Sequence, residues 1–403
     1  MSNSILTISM ITREALRVLS NNLTFTMNVN RGYDDQFGRH GAMIGQTVNI
    51  RKPAQYLGRR GPVVSIEAQN ETYVPLVLNT QYGVDLSFTS AELSLSLDDF
   101  SERVIKPAIV HIANMIDGDG LALLSQVYNQ VGTPGSSLTN NQVFLQAGVV
   151  LDQNLAPRDN LRSMVLDPAT QAFAVFQGTT LFNPNNVISE QYKSGQMGNA
   201  YGFDWYMDQQ APTHTNGTYG GTPVVNGANQ TGSSLVTNGW TATTTSLNVG
   251  DIFTISGVFR VNAQSKLPQT TLQQFVVTAQ TVTDGSGNST ISIAPAIITS
   301  GSLQNVSGSP ASGAAITVAG ASQATTQLSV AFHRDAFVFG CAPLVVPPKG
   351  VVEAAIETDP QTGLAIRMIQ SYDVRTDQFI SRFDLLGGWA TLYPQLAVRI
   401  ATT

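Results

Sequence analysis

The sequence predicts an α+β protein with a β-rich domain inserted into a region of mixed helices and strands. Three observations lead to this prediction. Residues 98–130 carry apolar side chains at helical spacing, short strand-like stretches occur on both sides of them, and residues 213–330 change abruptly in composition. At 403 residues the chain exceeds one ordinary domain, so two or three units are expected.

The long helix is predicted from apolar residues three and four positions apart. They are Ile105, Ala108, Ile109, Ile112, Ala113, Ile116, Leu123, Leu124 and Val127. Asp98 or Asp99 can cap a first turn, and Pro107 is tolerated in the first turn of a second segment. Gly118 and Gly120 each weaken a helix by about 1 kcal/mol relative to alanine. A kink or a close backbone contact is therefore expected near these glycines.

Strand-like patterns surround this helix. They occur at 47–51, 73–78, 84–88, 163–166, 336–339 and 364–368. A second, shorter helix is expected near 169–177. Residues 43–90 as a whole are expected to be extended and to have little core of their own. Such segments are unusual in a monomer, so we expect them to be buried on neighbouring molecules.

The predicted insert, residues 213–330, is almost uncharged. Its formal charges are Asp251, Arg260, Lys266 and Asp284, whereas the other 285 residues carry 44. Short β-branched or aromatic runs alternate with turn formers at 251–255, 258–261, 275–278, 290–293 and 315–318. Five or six short strands favour a small antiparallel barrel or sandwich. The stretches 213–232 and 299–325 are the least patterned and are expected to be mobile connectors.

Charge is distributed unevenly along the chain. Residues 1–66 contain eight basic and three acidic residues, which gives a net charge of +5. Since the whole chain has a net charge of −6, residues 67–403 have a net charge of −11. Any attraction to nucleic acid is therefore expected from the N-terminal part. The alternative left open is an arm whose arginines pair with acids on neighbouring subunits.

No pattern indicates catalysis or a bound cofactor. His333-Arg-Asp335 resembles a kinase catalytic loop, but Gly340 stands where that loop needs Asn. The stretch 117–120 begins like a calcium loop, but Tyr128 stands where a bidentate Glu is required. We expect a non-enzymatic protein with no catalytic residue, metal site or cofactor, and we expect His333 to form an ion pair at a strand–helix junction.

The single cysteine, Cys341, excludes an intrachain disulfide and is expected to be a small core residue. The first twelve residues carry no basic residue ahead of their apolar side chains, and no long apolar run occurs. Neither a signal peptide nor a membrane span is expected. The protein is expected to fold in a reducing cytosol.

Several blocks of the chain resemble, in order, the major capsid proteins of tailed bacteriophages, in the branch that carries an insertion domain. The blocks are IGQTVNIRKP (44–53), LSLDDFSERVIKPA (95–108) with IANMID (112–117), GNAYGFD (198–204) with APTHT (211–215), and VAFHRDAF (330–337) with TGLAIR (362–367) and FDLLGG (383–388). Each block alone is weakly specific, but their order along most of the chain is specific.

The resemblance implies the tailed-phage and herpesvirus type of capsid fold, with an inserted antiparallel β-barrel. The implied segments are an N-terminal arm (1–52), an extended hairpin loop (53–81), a peripheral domain with a spine helix (82–139), an axial α/β domain in two parts (140–212 and 331–386), the β-rich insert (213–330) and a return to the peripheral domain (387–403).

It also implies a subunit that forms pentamers and hexamers in an icosahedral shell around double-stranded DNA, assembled in the host bacterial cytoplasm with scaffolding and portal proteins. Arg59 and Arg60, near the expected loop tip, are candidate intersubunit contacts. Arg13 and Arg17 are candidate DNA-facing residues. Two alternatives remain open at this point: the shell subunit of an encapsulin-type nanocompartment and, from another class, a β-rich tail-fibre or adhesin module.

Overall fold

The computed structural model describes residues 8–33, 44–59, 61–64, 66–67, 71–89, 101–181, 198–243, 246–348, 352–359, 362–375 and 378–402. The chain divides into two compact units. Unit 1 comprises Met1–Ile50, Tyr73–Leu121 and Phe337–Leu392, and unit 2 comprises Arg51–Thr72, Ala122–Ala336 and Tyr393–Thr403. Among the described residues, no helix combines the length and the apolar character needed to cross a membrane.

The described helices are α1 (Ile8–Asn22), α2 (Lys106–Ala122), α3 (Gln142–Gln153) and α4 (Pro168–Leu181). Short 3-10 turns cover Thr26–Asn28, Leu123–Gln126, Arg334–Ala336 and Pro394–Leu396, and a π-helical turn covers Ser101–Ile105. The apolar pattern of the predicted long helix continues to Val127, whereas the α-helix ends at Ala122. The proposed capping residues Asp98 and Asp99 lie outside the described residues.

The strands are β1 (Gln46–Lys52), β2 (Thr72–Leu78), β3 (Thr80–Thr89), β4 (Gln130–Val131), β5 (Arg162–Leu166), β6 (Asn199–Ala200), β7 (Phe203–Met207), β8 (Thr213–Thr215), β9 (Gly221–Val225), β10 (Gly232–Trp240), β11 (Ser246–Leu247), β12 (Ile252–Val261), β13 (Pro268–Val277), β14 (Thr281–Val282), β15 (Ser289–Ile297), β16 (Ile316–Val318), β17 (Thr325–His333), β18 (Phe337–Ala342), β19 (Glu353–Thr358), β20 (Ala365–Asp373), β21 (Gln378–Thr391) and β22 (Ala397–Thr402).

Unit 1 is built on a five-stranded antiparallel sheet. Its order is β18-β21-β20-β19, and β3 also pairs with β21 along ten residue pairs. Helix α1 packs against β19 and β20. It does so with one apolar face, because its buried residues recur at helical spacing. They are Ile11, Thr12, Ala15, Leu16, Val18 and Leu19.

Two residues of α2 hold the segment after α1 onto this unit. The buried carboxylate of Asp117 accepts hydrogen bonds from the N–H groups of Thr24 (2.7 Å) and Thr26 (2.9 Å). Burial raises the pKa of Asp117, while these hydrogen bonds oppose the rise. Gly120 lies so close to Trp389 and Phe25 that a Cβ there would fall 2.6 Å and 2.9 Å from their rings. The close backbone contact expected near the two glycines is therefore confirmed.

Unit 2 contains a seven-stranded mixed sheet. Its order is β4-β22-β17-β5-β7-β6, and β8 also pairs with β17. Helix α4 begins where the sequence allows it, because Pro168 needs no N–H partner in a first turn and Asp167 caps the N–H groups of Ala169 (3.1 Å) and Thr170 (3.0 Å). Apolar residues of α3, α4 and the sheet share one core, which includes Phe144, Leu151, Met164, Leu166, Ala174, Phe203, Val398 and Ile400.

Unit 2 also contains a six-stranded antiparallel barrel in the order β16-β12-β13-β15-β10-β9. The two end strands meet where the N–H of Val225 donates to Ala314 O (2.9 Å) and the N–H of Gly313 donates to Val225 O (2.8 Å). Apolar side chains fill the interior, among them Leu235, Trp240, Phe253, Ile255, Phe275, Val277, Ile291, Ile293 and Val306. The predicted α+β fold with an inserted antiparallel barrel is confirmed.

Two strands of the barrel were missed. They are β9 and β10; β9 lies in the stretch 213–232, which was expected to be a mobile connector and also contains β8. Strand β16, within 299–325, agrees with the run predicted at 315–318. The start of β10 was hidden because a polar residue faces inward: Thr237 is buried and donates to Ser289 O (2.9 Å) while it accepts from Trp240 Nε1 (2.8 Å). Hydrogen bonding makes this interior position polar, so the expected alternation of apolar residues is interrupted.

The expected grouping of the C-terminal segments also needs correction. Residues 331–386 were grouped with 140–212, and 387–403 with the long helix. In the structure 337–392 belongs to unit 1, because β21 pairs with β3, and 393–403 belongs to unit 2, because β22 pairs with β17. Strand pairing across long sequence separations decided the grouping, and neither strand's own pattern specifies its partner.

The described start of the chain, α1 and the residues after it, packs within unit 1. Phe25 is fully buried and its ring stacks on Trp389 at a centroid distance of 5.6 Å. Asn30 forms backbone hydrogen bonds with Phe337 and Phe339, each 3.1 Å. The N-terminal segment 8–30 is therefore part of unit 1.

We predict that Gly120→Ala lowers the free energy of unfolding, because the added methyl group overlaps the rings of Trp389 and Phe25. Overpacking costs about 1–3 kcal/mol, which outweighs the gain of about 1 kcal/mol in helix propensity. Gly118→Ala is the matched control, since Gly118 is half-buried on the same helix. Urea unfolding of both variants checks the prediction, and equal stabilisation by both alanines would contradict it.

Candidate functional site

The most exposed described part of the chain is the loop between β1 and β2. These strands pair as a two-stranded sheet, so residues 53–71 form the connection of a hairpin. The side chains of Arg51 and Glu71 form an ion pair across the base of the loop, with Nη1 and Oε2 3.5 Å apart. The expected extended hairpin loop therefore begins at this base.

Polar contacts within the loop hold its described part in one conformation. The carboxylate of Glu67 accepts the N–H groups of Leu57 (2.8 Å) and Gly58 (2.9 Å). The guanidinium of Arg59 donates to the carbonyl oxygen of Gly61. Gly58 and Gly61 have φ angles of +69° and +109°, which glycine adopts without a steric penalty. These contacts link the described residues 57–61 and 67 of the loop to one another.

Apolar side chains of this loop face solvent. Val63, Val64 and Ile66 are 81%, 72% and 92% exposed, and Tyr56 and Leu57 are about half exposed. Single exposed apolar residues are common, but a cluster on one loop is typical of a protein–protein contact. We call these five residues the apolar loop cluster. It is the feature of the described chain that most directly indicates a binding surface.

The four arginines singled out from the sequence have different surroundings. Arg59 lies in the loop, and Arg60 lies outside the described residues. Arg13 and Arg17 lie on α1. Nη2 of Arg13 is 3.6 Å from Glu357, and Arg17 forms two hydrogen bonds with Glu14, of 2.9 Å and 2.6 Å. Such exposed ion pairs contribute about 0–1 kcal/mol, so the pairing offsets their charge but does not prevent exchange for another partner.

The base of the barrel contains buried charges whose importance was not predicted. The side chain of Asp251 is fully buried, although only four formal charges occur in 213–330. It bonds Nε2 of His214 (2.9 Å) and accepts the N–H groups of Gly217 (3.1 Å) and Asn248 (2.9 Å). Asp251 therefore ties the first turn of the barrel to β8, where the chain enters it.

A buried arginine of β22 lies at the same base. Arg399 is fully buried, and its Nη2 donates to the carbonyl oxygen of Gly250 (2.8 Å). Burial lowers the pKa of Arg399 to about 9, and the negative charge of Asp251 opposes this lowering. Asp251 and Arg399 thus carry opposite charges inside unit 2, and each is held there by its own hydrogen bonds.

Side-chain hydrogen bonds fix two more strands of the barrel. Nη2 of Arg260 on β12 donates to Oδ1 of Asn129 (2.8 Å). The side chain of Gln274 on β13 bonds both the N–H and the carbonyl group of Gln130, at 2.9 Å each. The barrel is thus attached to the segment that precedes β4 by several independent contacts. Because charged residues are so rare in 213–330, Asp251 and Arg260 could have been recognised from the sequence as candidates for a special role. Nothing in the sequence distinguished Arg399 in this way.

Two further sequence predictions are confirmed. His333 ends β17 and precedes a 3-10 turn; its Nε2 lies 3.2 Å from Asp159 and its Nδ1 3.7 Å from Asp335. Cys341 is a buried residue of β18. Both residues serve the packing of the chain.

We predict that Asp251→Asn lowers the free energy of unfolding by about 2 kcal/mol, because the buried group that bonds His214 and accepts the N–H groups of Gly217 and Asn248 loses its negative charge. Asp284→Asn is the control, since Asp284 is the other acid of the barrel and lies in an exposed turn; a much smaller change is expected. Urea unfolding followed by tryptophan fluorescence reports on both, since Trp240 lies in the barrel core. Equal effects of the two substitutions would refute the role assigned to Asp251.

Comparison with known proteins identifies the family. The family model described as P22 coat protein, gene protein 5, matches residues 2–400. No curated protein matches the chain. Similar solved structures include that of Mycobacterium phage Che8, with 12% identity, 94% of this chain and 90% of that chain covered and a TM-score of 0.43. The capsid of cyanophage P-SCSP1u has 10% identity, 93% of this chain and 89% of that chain covered and a TM-score of 0.43. A virus-like particle from Pyrococcus furiosus has 7% identity, 97% of both chains covered and a TM-score of 0.34. Because the family match spans nearly its whole length, the chain belongs to the P22 coat protein family and is a bacteriophage major capsid protein.

Proposed function

We propose that this capsid protein assembles through pentamers and hexamers into an icosahedral shell around double-stranded DNA, and that the apolar loop cluster binds a neighbouring subunit. The proposal rests on the exposure of Val63, Val64 and Ile66, in a loop where the carboxylate of Glu67 accepts two backbone N–H groups. In a shell made of identical copies, a surface that cannot be buried within one molecule is buried on the next.

The energetics suit a correctable assembly. Burying one valine or isoleucine side chain contributes about 1.5–3 kcal/mol before the entropy of association is subtracted. One such loop therefore binds weakly by itself. A subunit in a closed shell makes several contacts at once, so the modest contacts add to a stable particle.

The N-terminal segment supplies the proposed DNA-facing charge. Residues 1–66 carry a net charge of +5, whereas the rest of the chain is strongly acidic. Arg13 and Arg17 are the candidates, and each exchanges a weak exposed ion pair for a phosphate contact in this proposal. The alternative, in which these arginines pair with acids of neighbouring subunits, predicts no dependence of DNA binding on them.

Scaffolding and portal proteins are further proposed partners, and the host bacterial cytoplasm is the proposed place of assembly. The single cysteine, Cys341, is buried and fits a reducing compartment.

We also propose that the subunit has no enzymatic activity. Mass spectrometry of precursor shells from infected cells checks the partners, and shells without any second internal protein would contradict a scaffolding partner.

The two alternative functions are less well supported. An encapsulin-type compartment encloses a cargo protein instead of a genome, and a tail-fibre module forms a small oligomer. Membership of a phage coat family over residues 2–400 favours neither. Nuclease digestion of purified particles distinguishes the first alternative, and size-exclusion chromatography distinguishes the second.

We predict that the double substitution Val63→Thr, Val64→Thr weakens assembly without destabilising the subunit, because both side chains keep their shape but become polar at an exposed site. A loss of about 2 kcal/mol per contact raises the critical concentration for assembly at least tenfold. Val374→Thr is the control, since Val374 is also 81% exposed but lies between β20 and β21. Light scattering measures assembly, and an unchanged critical concentration for the double variant would count against the loop contact.

We predict that reversing charge at both Arg59 and Arg60 to Glu impairs assembly, because acids on the adjacent subunit would then meet like charge. A loss of about 1.4 kcal/mol per contact corresponds to a tenfold weaker interaction. Substitution of both by Lys is the matched control and should retain assembly. Negative-stain microscopy counts closed shells, and normal shells from the Glu variant would exclude the proposed ion pairs.

We predict that Arg13→Gln together with Arg17→Gln reduces the salt dependence of DNA binding. Each lost phosphate contact lowers the slope of log K against log salt by about 0.9. Arg158→Gln is the control, because Arg158 and Arg13 are equally exposed, at 76%. Fluorescence anisotropy with duplex DNA at several salt concentrations measures the slopes, and identical slopes for all proteins would contradict the DNA-facing assignment.

A further inference from the structure

Unit 2 contains a cleft of about 790 Å³ whose walls carry an incompletely paired buried cation. The base of the exposed loop forms one wall, with Lys52 and Tyr56. Barrel residues form another, with Arg260 and Asn305, and Tyr393 lies in a third. The cleft is therefore bounded by three different parts of the same unit.

Arg260 is the unusual group in this cleft. It is only 4% exposed, and of its guanidinium nitrogens Nη2 donates to Asn129. Nε and Nη1 have no acceptor among the described residues. No acid in the described part of the chain forms an ion pair with it, and burial lowers its pKa. A buried cation without a counter-charge is costly, so a nearby anion would be strongly favoured.

The other charged groups of the cleft give it a net positive charge. Lys52 is half-buried, and its Nζ lies 5.1 Å from the centre of the Tyr393 ring. Asp335 is the one acidic side chain among the described lining residues, and it lies 3.7 Å from Nδ1 of His333. The carboxylate of Asp335 therefore lies next to His333. Two cations facing one such acid leave an excess of positive charge.

We propose that this cleft is a binding site for an oxyanion, either a carboxylate or a phosphate group, held by Arg260 and Lys52. A guanidinium matches the paired oxygens of both groups, and surrounding protein screens its charge little. Asn305 also lines the cleft; its Nδ2 donates to the carbonyl oxygen of Ala296 (2.7 Å) and has a second N–H for such an oxygen. The existence of the site does not depend on the proposed function. One possible source of the anion is a carboxylate side chain of a second copy, and this source rests on the proposed function.

Inorganic phosphate is the probe for the unassembled full-length subunit. Thermal unfolding is followed at constant ionic strength while phosphate replaces chloride. A saturating anion raises the melting temperature by about 2–4 °C, and this rise should be lost in Arg260→Gln and at least halved in Lys52→Gln. Lys52→Gln keeps the test decisive if Arg260→Gln does not fold, because Lys52 is half-buried and its removal leaves the barrel base intact. Equal rises in the original protein and in Lys52→Gln would overturn the site and would indicate an adventitious ion only.

Isothermal titration of assembled shells with phosphate distinguishes the two sources. Loss of phosphate binding on assembly assigns the site to a carboxylate of a second copy, and retained binding assigns it to small anions from solution. Either result supports the site. Absence of phosphate binding to the free subunit overturns it, whether or not the subunit forms shells, so failure of this inference is separable from failure of the proposed function.

Discussion

Burial of apolar surface within each unit is the constraint that determines which surfaces remain for other molecules. Unit 1 uses α1, the residues after it and its five-stranded sheet to bury Phe25, Phe337 and Trp389 around Gly120. Unit 2 buries two separate cores, one beneath α3 and α4 and one inside the barrel. The loop after β1 joins none of these cores, so its valines and isoleucine remain exposed. The same forces that fold the subunit thus leave a defined surface with which it can associate.

The barrel uses its few charges internally. Asp251 and Arg260 are buried at its base, and Lys266 donates to the carbonyl oxygen of Ser302 (2.5 Å). Only Asp284 lies in an exposed turn, where the side-chain amide of Asn288 and the backbone N–H groups of Asn288 and Ser286 donate to its carboxylate and lower its pKa. The barrel therefore has little charge to offer to a neighbour. Its outer surface is suited to hydrogen bonding by Ser, Thr, Asn and Gln and to solvation, and this distinguishes it from the charged N-terminal part of the chain.

Much of the local structure could be predicted, since it depends on periodicity and on turn residues. The helix α2 but not its end, the strand before Pro53, the barrel strands β12 and β15 and the close contact at Gly120 follow from such patterns. What could not be predicted involves partners distant in the sequence. The pairing of β3 with β21, the inward-facing Thr237 and the burial of Arg399 against Gly250 each depend on residues more than fifty positions away. A local pattern carries no information about such partners.

For the candidate site, the sequence indicated the right loop for a different reason. Arg59 and Arg60 directed attention to the segment after Pro53, whereas the structure points to Val63, Val64 and Ile66 beside them. The apolar character of these residues was visible, but exposure is a property of the fold and not of the composition. The same holds for α1: its arginines suggested a basic arm, and its apolar face, which packs on β19 and β20, became evident only with the sheet in place.

The central claim is that the loop between β1 and β2 is buried on another copy of the chain when shells form. Hydrogen–deuterium exchange of free subunits and of assembled shells tests it most directly. The account predicts that amides of residues 53–67 exchange markedly more slowly in shells, while those of β12, already within the barrel, exchange at the same rate in both states. Equal exchange of the loop amides before and after assembly would contradict it.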